Sequence, residues 1–185
     1  MIKGNYFTTW AMLALVIFLT AFTPSGNPVL ADKKITKAVI KTMKTSDFVL
    51  KPADNLNRLL CSVSGSFYYI LSGSDTLGTL YKGRVNSCRA GGCSLSSGDE
   101  AIAFEYFDYF FITDSKNNVR RVKVFNYQAT YGQEIMSRGW LNQFNGLSPG
   151  KKLEFGRDIE AISGATVSAK AITDDIQKVL TCLNQ

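Results

Sequence analysis

The sequence predicts an α+β fold in which an antiparallel sheet is packed by an N-terminal and a C-terminal helix. Three observations support this prediction. Apolar and aromatic stretches with strand character lie in the middle of the chain and are separated by turn signals. Amphipathic stretches with a helical period lie at both ends. Strand and helix patterns do not alternate, as they would in a parallel sheet. The 185 residues, 45% of them hydrophobic, suit one globular domain.

The first element in chain order is a predicted signal peptide over residues 1–31. Lys3 supplies a positive start, residues 11–22 form an apolar run, and residues 29–31 have the small outer residues of a cleavage site. The apolar run is shorter than the ~20 residues that a membrane span needs. We therefore expect cleavage after Ala31 and export to a periplasm or a cell surface. An uncleaved N-terminal membrane anchor is the alternative.

Residues 32–60 are predicted to form an N-terminal helical segment. Ile35, Val39 and Met43 have the spacing of one helix face, and residues 46–60 suggest a loop with a short turn. Lysines accumulate in the same segment. We interpret them as a solvated helix face rather than a contact with anionic lipid or nucleic acid, and export also argues against nucleic acid as a partner. These lysines are Lys33, Lys34, Lys37, Lys41, Lys44 and Lys51.

Residues 61–185 are predicted to form the main domain, which begins with four strands. Their residues are rich in aromatic and β-branched types, and turn sequences join the first two strands and the last two. A glycine-, serine- and cysteine-rich loop separates the two pairs. The predicted strands cover residues 67–71, 76–85, 101–113 and 119–129.

The last part of this domain is predicted to be helical. Residues 133–144 suggest a helix or two short turns broken near Gly139, and a loop follows over residues 145–157. A final helix runs nearly to the C-terminus, because its apolar residues recur at steps of three and four. These residues are Ala165, Ala169, Ile172, Ile176, Val179 and Leu183.

The turn that leads into this final helix has the composition of a phosphate site. Ser163, Gly164, Ala165 and Thr166 combine hydroxyl groups, a flexible glycine and a helix start. A helix N-terminus offers amide groups without intrahelical acceptors and a partial positive charge, so phosphates bind there readily. Thr166 would place an alcohol beside such a phosphate. The alternative is that Ser163 or Thr166 is only the N-cap of the helix, a common position for both residue types.

The sequence contains no histidine and four cysteines. The absence of imidazole excludes Ser-His-Asp hydrolases, Cys-His proteases and His-ligated zinc, copper or haem. In an exported protein an even number of cysteines predicts disulfide bonds, and three pairings are open. We favour Cys88 paired with Cys93 and Cys61 paired with Cys182. A redox-active Cys88 and Cys93 pair and a four-thiolate metal site are less favoured alternatives, so we expect no bound metal.

Two blocks of the sequence resemble the FMN-binding domain family. This family includes a subunit of the sodium-translocating NADH:quinone oxidoreductase, a subunit of the Rnf electron-transport complex and exported single-domain flavoproteins. Residues 158–168 (DIEAISGATVS) are similar to its flavinylation motif. Residues 127–135 (YQATYGQEI) and 140–144 (WLNQF) are similar to its Glu-Thr-x-Gly segment and the following helix. The sequence departs from the family pattern at Glu160, where the family has Asp, and at Ala129, where it has Glu.

The resemblance implies that FMN is joined through its phosphate to Thr166 by a phosphoester bond, which a separate FAD:protein FMN transferase makes. It assigns Ser163, Gly164 and Ala165 to the turn, and the amide groups of Val167 and Ser168 to the phosphate. Thr130, Tyr131 and Gly132 are expected to line the flavin ring or ribityl chain. Trp140 and Phe144 are expected either to stack on the ring or to pack in the core.

The function that the resemblance implies is electron transfer by an exported flavoprotein, and we expect a one- or two-electron carrier rather than a stand-alone catalyst. Its partners would be redox proteins or a quinone-linked membrane complex. Two other functions stay open. One is a disulfide-braced binding or structural module without flavin, in which Thr166 is only a cap. The other is an anchored accessory subunit of a membrane redox complex.

Overall fold

A five-stranded antiparallel sheet is the central element of the chain, whose computed structural model describes residues 32–58, 63–87 and 105–184. The strands pair in chain order, each with the next, so the sheet is a meander in which β1 and β5 are the edges. The strands are β1 (Val49–Pro52), β2 (Ser66–Ser72), β3 (Asp75–Ser87), β4 (Glu105–Thr113) and β5 (Val119–Tyr127).

Four helices accompany the sheet in the described residues. The longest two stand at the two ends of this region, and the two short helices lie in connections. The helices are α1 (Lys33–Met43), α2 (Asp54–Arg58), α3 (Arg138–Leu141) and α4 (Thr166–Cys182). Two 3-10 turns, Gln133–Met136 and Asn142–Phe144, flank α3. No helix in the described ranges has the length and apolar character of a membrane span.

The sheet lies between α1 on one face and α4 on the other. Along β4 the side chains alternate: Phe107, Tyr109 and Phe111 pack in the cluster that contains α4, whereas Phe110 and Ile112 pack in the cluster that contains α1. Because successive side chains of a strand point to opposite faces, a strand covered on both faces is apolar at nearly every position. The predicted α+β class, with an antiparallel sheet packed by N-terminal and C-terminal helices, is confirmed.

The N-terminal segment contributes more to the sheet than its sequence indicates. Residues 46–60, expected to be a loop with a short turn, contain β1 and α2, and β1 pairs with β2 along one edge of the sheet. β1 has four residues, and only Leu50 among them is buried. Such a short, mostly exposed strand has no alternation of apolar and polar residues in its sequence. It forms because its backbone pairs with that of β2. The predicted boundary between residues 60 and 61 stays a prediction.

Several predictions fall outside the described residues. These are the signal peptide over residues 1–31, Cys61, Cys88, Cys93, and the first part of the strand expected over residues 101–113, which is described from Glu105 onward. Cys182 is described: it is buried at the end of α4 and is not a free thiol. The disulfide pairing therefore stays a prediction.

Candidate functional site

The chain turns sharply into α4 at Ser163 and Gly164. The amide of Ala165 donates to the carbonyl oxygen of Ile162 at 3.1 Å, which closes a four-residue turn. Gly164 has a φ of +82° at the third position of this turn, and no atom lies within 4 Å of a Cβ built on it. The backbone conformation, rather than a lack of space, therefore requires glycine here.

Thr166 is the first residue of α4 and is exposed. Its hydroxyl donates to the carbonyl oxygen of Ile162 at 3.3 Å, four residues back. The N-cap position belongs to Ala165, which has no side-chain oxygen, and no side chain caps the helix. The alternative interpretation, in which Ser163 or Thr166 is the N-cap, is wrong. The Thr166 hydroxyl is thus held at the helix N-terminus but open to solvent.

The start of α4 is suited to an anion. Thr166, Val167 and Ser168 are its first three residues, so their amide groups have no acceptor within the helix. The 17-residue helix has no acidic residue in its first turn, which would otherwise compete with an anion for the helix dipole. A phosphate at this position would accept from the amides next to the Thr166 hydroxyl. The residues present therefore fit the phosphate of FMN.

Buried contacts hold this end of α4 against the sheet. Ala165 and Ala169 are buried, as is Ser168, whose hydroxyl shares a hydrogen bond of 2.6 Å with the hydroxyl of Ser87 at the end of β3. The Ser168 hydroxyl also lies 3.2 Å from the hydroxyl of Tyr127. Ser87 was not singled out from the sequence, and nothing in its local pattern could have indicated this contact.

The segment after β5 lies directly against the first turn of α4. Gly132 is buried with a φ of +90°, and a Cβ built on it would fall 2.6 Å from Ser168 Oγ and 2.8 Å from the Tyr127 hydroxyl. The Tyr127 hydroxyl donates to the carbonyl oxygen of Tyr131 at 2.5 Å. The structure therefore brings the two separate sequence blocks together around Ser168.

Thr130 is held by a carboxylate from the neighbouring strand. Its amide and its hydroxyl each donate to Glu105 at 2.6 Å, one to each carboxylate oxygen. Ala129 beside it is buried. Beyond the pairing of Phe107 with Tyr127, the Gln128 amide donates to the Tyr106 carbonyl oxygen at 2.9 Å, which keeps the two chain segments together next to Glu105. Glu105 was missed from the sequence, and only the register of β4 and β5 could have identified it.

The large hydrophobic side chains near the site divide into exposed and buried ones. Tyr131 is 62% exposed and Val167 is 46% exposed, and both belong to the segments that meet at Ser168. Trp140 and Phe144 are buried, and their rings form an edge-to-face pair with centroids 5.3 Å apart. The structure thus places the two buried aromatics in the core, whereas Tyr131 and Val167 offer apolar surface to a ligand.

Trp140 also positions the segment that precedes the turn. Its indole N–H donates to the carbonyl oxygen of Glu160 at 2.8 Å, and the side-chain oxygen of Gln143 accepts from the Glu160 amide at 2.9 Å. Both backbone groups of Glu160 are therefore held by the α3 region, while its side chain is exposed. The sequence block that contains Trp140 and Gln143 therefore fixes the backbone of Glu160, three residues before Ser163 in the other block.

Further along α4, the partly buried Asp175 forms a cluster with two buried tyrosines. The hydroxyl of Tyr109 donates to Asp175 Oδ2 at 2.7 Å, and that of Tyr81 donates at 3.3 Å. Burial raises the pKa of Asp175, although both hydrogen bonds act in the opposite direction. Burial also raises the pKa of both tyrosines, and the Asp175 charge adds to that effect. This cluster ties α4 to β3 and β4.

Comparison with known proteins adds a family assignment. Residues 108–181 match the family model described as the FMN-binding domain. The match begins at Asp108 in β4 and includes β5, the α3 region, the turn at Ser163 and nearly all of α4. A comparison with curated proteins found no match. Within the described residues, no cluster of side chains could hold a metal ion. Residues 108–181 of this chain are therefore an FMN-binding domain, which supports FMN as the cofactor.

Proposed function

We propose that this chain is an exported flavoprotein that carries FMN on Thr166 through a phosphoester bond and takes part in electron transfer. The observation that carries the proposal is the exposed Thr166 hydroxyl at a helix N-terminus that no side chain caps. The Thr166 hydroxyl would be the attachment point of FMN, and the neighbouring amides of Val167 and Ser168 would donate hydrogen bonds to its phosphate.

The attachment reaction needs only chemistry that the transferase and its substrate provide. An FAD:protein FMN transferase would join the Thr166 oxygen to the flavin-side phosphorus of FAD, while the pyrophosphate bond breaks and AMP leaves. The hydroxyl loses its proton in this exchange. Thr166 is accessible to such an enzyme, because it is exposed and directly follows a turn whose residues Ser163 and Gly164 are exposed as well.

The groups around Thr166 suit a redox cofactor that is held in place rather than a substrate that is turned over. They are hydroxyls, backbone amides and the apolar surfaces of Tyr131 and Val167. When bound, FMN supplies the redox chemistry, and the protein supplies its orientation and surroundings. Redox partner proteins or a quinone-linked membrane complex would exchange electrons with it.

Export and disulfide bonding belong to the same proposal. A signal peptide over residues 1–31 would direct the chain to a periplasm or cell surface, where Cys88 would pair with Cys93 and Cys61 with Cys182. The buried position of Cys182 in α4, without a free thiol, supports a structural disulfide at that residue. A covalent bond to FMN suits this location, because a cofactor lost outside the cytoplasm is not readily replaced.

Flavin fluorescence after denaturation tests the attachment. The full chain is co-expressed with an FMN transferase and separated on a denaturing gel. We expect a fluorescent band for the natural chain and for Thr181→Ala, which removes another exposed hydroxyl of α4. We expect no fluorescence for Thr166→Ala. Fluorescence that persists in Thr166→Ala would overturn the attachment site, and a dark natural chain would overturn covalent attachment itself.

A further inference from the structure

The outward face of α1 is strongly basic and has no acidic partner. Residues 33–44 contain five lysines and no Asp or Glu, and Asp32, just before the helix, accepts a hydrogen bond from the Lys34 amide as the helix N-cap. All five lysines are exposed. None of them is in an ion pair within the described part of the chain. We call this surface the α1 face; it consists of Lys33, Lys37, Lys41 and Lys44.

The neighbouring sheet surface extends this positive charge. Arg121 on the edge strand β5 donates from Nε to the Thr42 hydroxyl at 2.8 Å, and Lys34 Nζ donates to the Phe125 carbonyl oxygen at 2.9 Å. Lys123 is opposite Phe110 in the β4–β5 register, so it shares the sheet face on which α1 packs. On that same face Asp108 is already paired with Arg84 at 2.7 Å.

Clustered like charges repel one another, so such a surface destabilises the protein unless a negatively charged partner covers it. An anionic lipid surface is a better occupant than a single acidic ligand, because the lysines project from one side of a helix rather than into a cavity. Ile40, 39% exposed among these lysines, adds an apolar side chain.

We propose that the α1 face docks the protein on a membrane surface that contains anionic lipid head groups. The sequence pattern alone favours a solvated helix face. Within the described residues, however, these lysines form no ion pairs and Arg121 and Lys123 adjoin them, which favours a negatively charged partner. Docking does not depend on whether the N-terminal segment is cleaved, because the lysines belong to the described helix. Each lysine at an anionic surface contributes roughly a fivefold gain in affinity, and the attraction weakens at high salt.

The proposed docking also determines which way the cofactor faces. This consequence rests on the proposed function, because it requires FMN on Thr166. α1 and α4 cover opposite faces of the sheet, so Thr166 lies on the side away from the lipid. FMN attached there would be presented to a partner in the aqueous phase or in the soluble part of a complex. The docking itself would hold even if the chain carried no flavin.

Residue-level lysine labelling tests the docking. The full chain is treated with a water-soluble acetylating reagent in the presence of vesicles of phosphatidylcholine alone, or of phosphatidylcholine mixed with phosphatidylglycerol. Mass spectrometry then reports the modification of each lysine. We expect the labelling of Lys33, Lys37 and Lys41 to fall several-fold with the anionic vesicles only. The exposed Lys151 and Lys152 lie between Gly150, which is next to Asn184, and Leu153, whose amide donates to Gln177 of α4, and they should be labelled equally with both.

A matched pair of variants separates a specific face from net charge. Lys37→Gln/Lys41→Gln should reduce binding to the anionic vesicles roughly 25-fold at low salt, whereas Lys151→Gln/Lys152→Gln removes the same charge and should leave binding nearly unchanged. Equal labelling of the α1 face with the two vesicle types would overturn the proposal and would leave an acidic protein as the occupant to examine. An equal loss in both variants would also overturn it.

Discussion

Gly132 lies directly against Ser168, so closely that a Cβ on the glycine would fall 2.6 Å from the serine hydroxyl oxygen. Gly132 follows β5, and Ser168 is in the first turn of α4. This contact joins the two sequence blocks into one site, together with the hydrogen bonds of the Ser168 hydroxyl to the hydroxyls of Ser87 and Tyr127. The position of the helix N-terminus therefore depends on residues far from it in sequence.

We expect Gly132→Ala to destabilise the protein and to reduce flavin attachment. The substitution forces a side chain into a φ of +90° and into the Ser168 hydroxyl, so the free energy of unfolding should fall by about 2 kcal/mol or more. Urea denaturation measures this change. Gly139→Ala is the control, because a Cβ there has nothing within 4 Å, and it should be neutral or slightly stabilising in α3. Equal stability of the two variants would contradict the account.

Glu105 should matter for the flavin segment more than for the stability of the fold. Glu105→Ala removes both acceptors of Thr130, whereas Glu105→Gln keeps one. The bonds are exposed to solvent, so we expect a loss of only about 1 kcal/mol in unfolding free energy for Glu105→Ala. The fraction of chain that carries FMN after co-expression should fall more clearly, in the order natural chain, Glu105→Gln, Glu105→Ala.

Glu134→Gln provides the control for that series. Glu134 is an exposed acidic residue in the 3-10 turn that follows Gly132. Its neutralisation should leave both the stability and the FMN fraction unchanged. A similar fall in the FMN fraction for Glu134→Gln would show that net charge, rather than the hold on Thr130, sets the result.

Trp140→Phe should weaken the fold without changing the flavin environment. The variant keeps an aromatic ring next to Phe144 but loses the indole N–H that donates to the Glu160 carbonyl oxygen. We expect a loss of about 1–2 kcal/mol in unfolding free energy. Because Trp140 is buried in the core, the fluorescence per bound flavin in the native protein should not change. A marked rise would indicate that the indole stacks on the flavin ring and quenches it.

Asp175→Asn should change how stability depends on pH. The pKa of Asp175 is raised in the folded protein, so the folded state holds the proton more tightly than the unfolded state. This contribution to stability is fully present below the unfolded pKa of about 4 and is lost as pH rises through the higher folded pKa. The stability of the natural chain relative to Asp175→Asn should therefore be greatest at acidic pH and should decline toward neutral pH, as measured by chemical denaturation. A difference that grows with pH would contradict this.

The fold could be predicted from the sequence wherever a periodic pattern of apolar residues indicates which side chains are buried. The period of α4 identified the residues that pack on the sheet, and all six of the predicted apolar positions, from Ala165 to Leu183, are buried. The aromatic run of β4 also identified a strand. β1 has no such pattern, because pairing with β2 rather than its own residues defines it.

The site was predictable only in its local part. The sequence indicated the glycine turn, the hydroxyl of Thr166 and the helix start, which are neighbours in the chain. It did not indicate Glu105 or Ser87, because their contacts arise from strand register and from the packing of α4 on β3. It also left the N-cap interpretation open, and the dihedral angles of Ala165 and the absence of a side-chain cap decided that point.

Mass spectrometry of the tryptic peptide 158–170 tests the central claim most directly. This peptide lies between Arg157 and Lys170 and contains three hydroxyl residues, Ser163, Thr166 and Ser168. In protein co-expressed with the transferase, fragmentation should locate a mass increase equal to FMN less one water on Thr166. An adduct on Ser163 or Ser168, or an unmodified peptide from protein whose flavin is released on denaturation, would contradict the account.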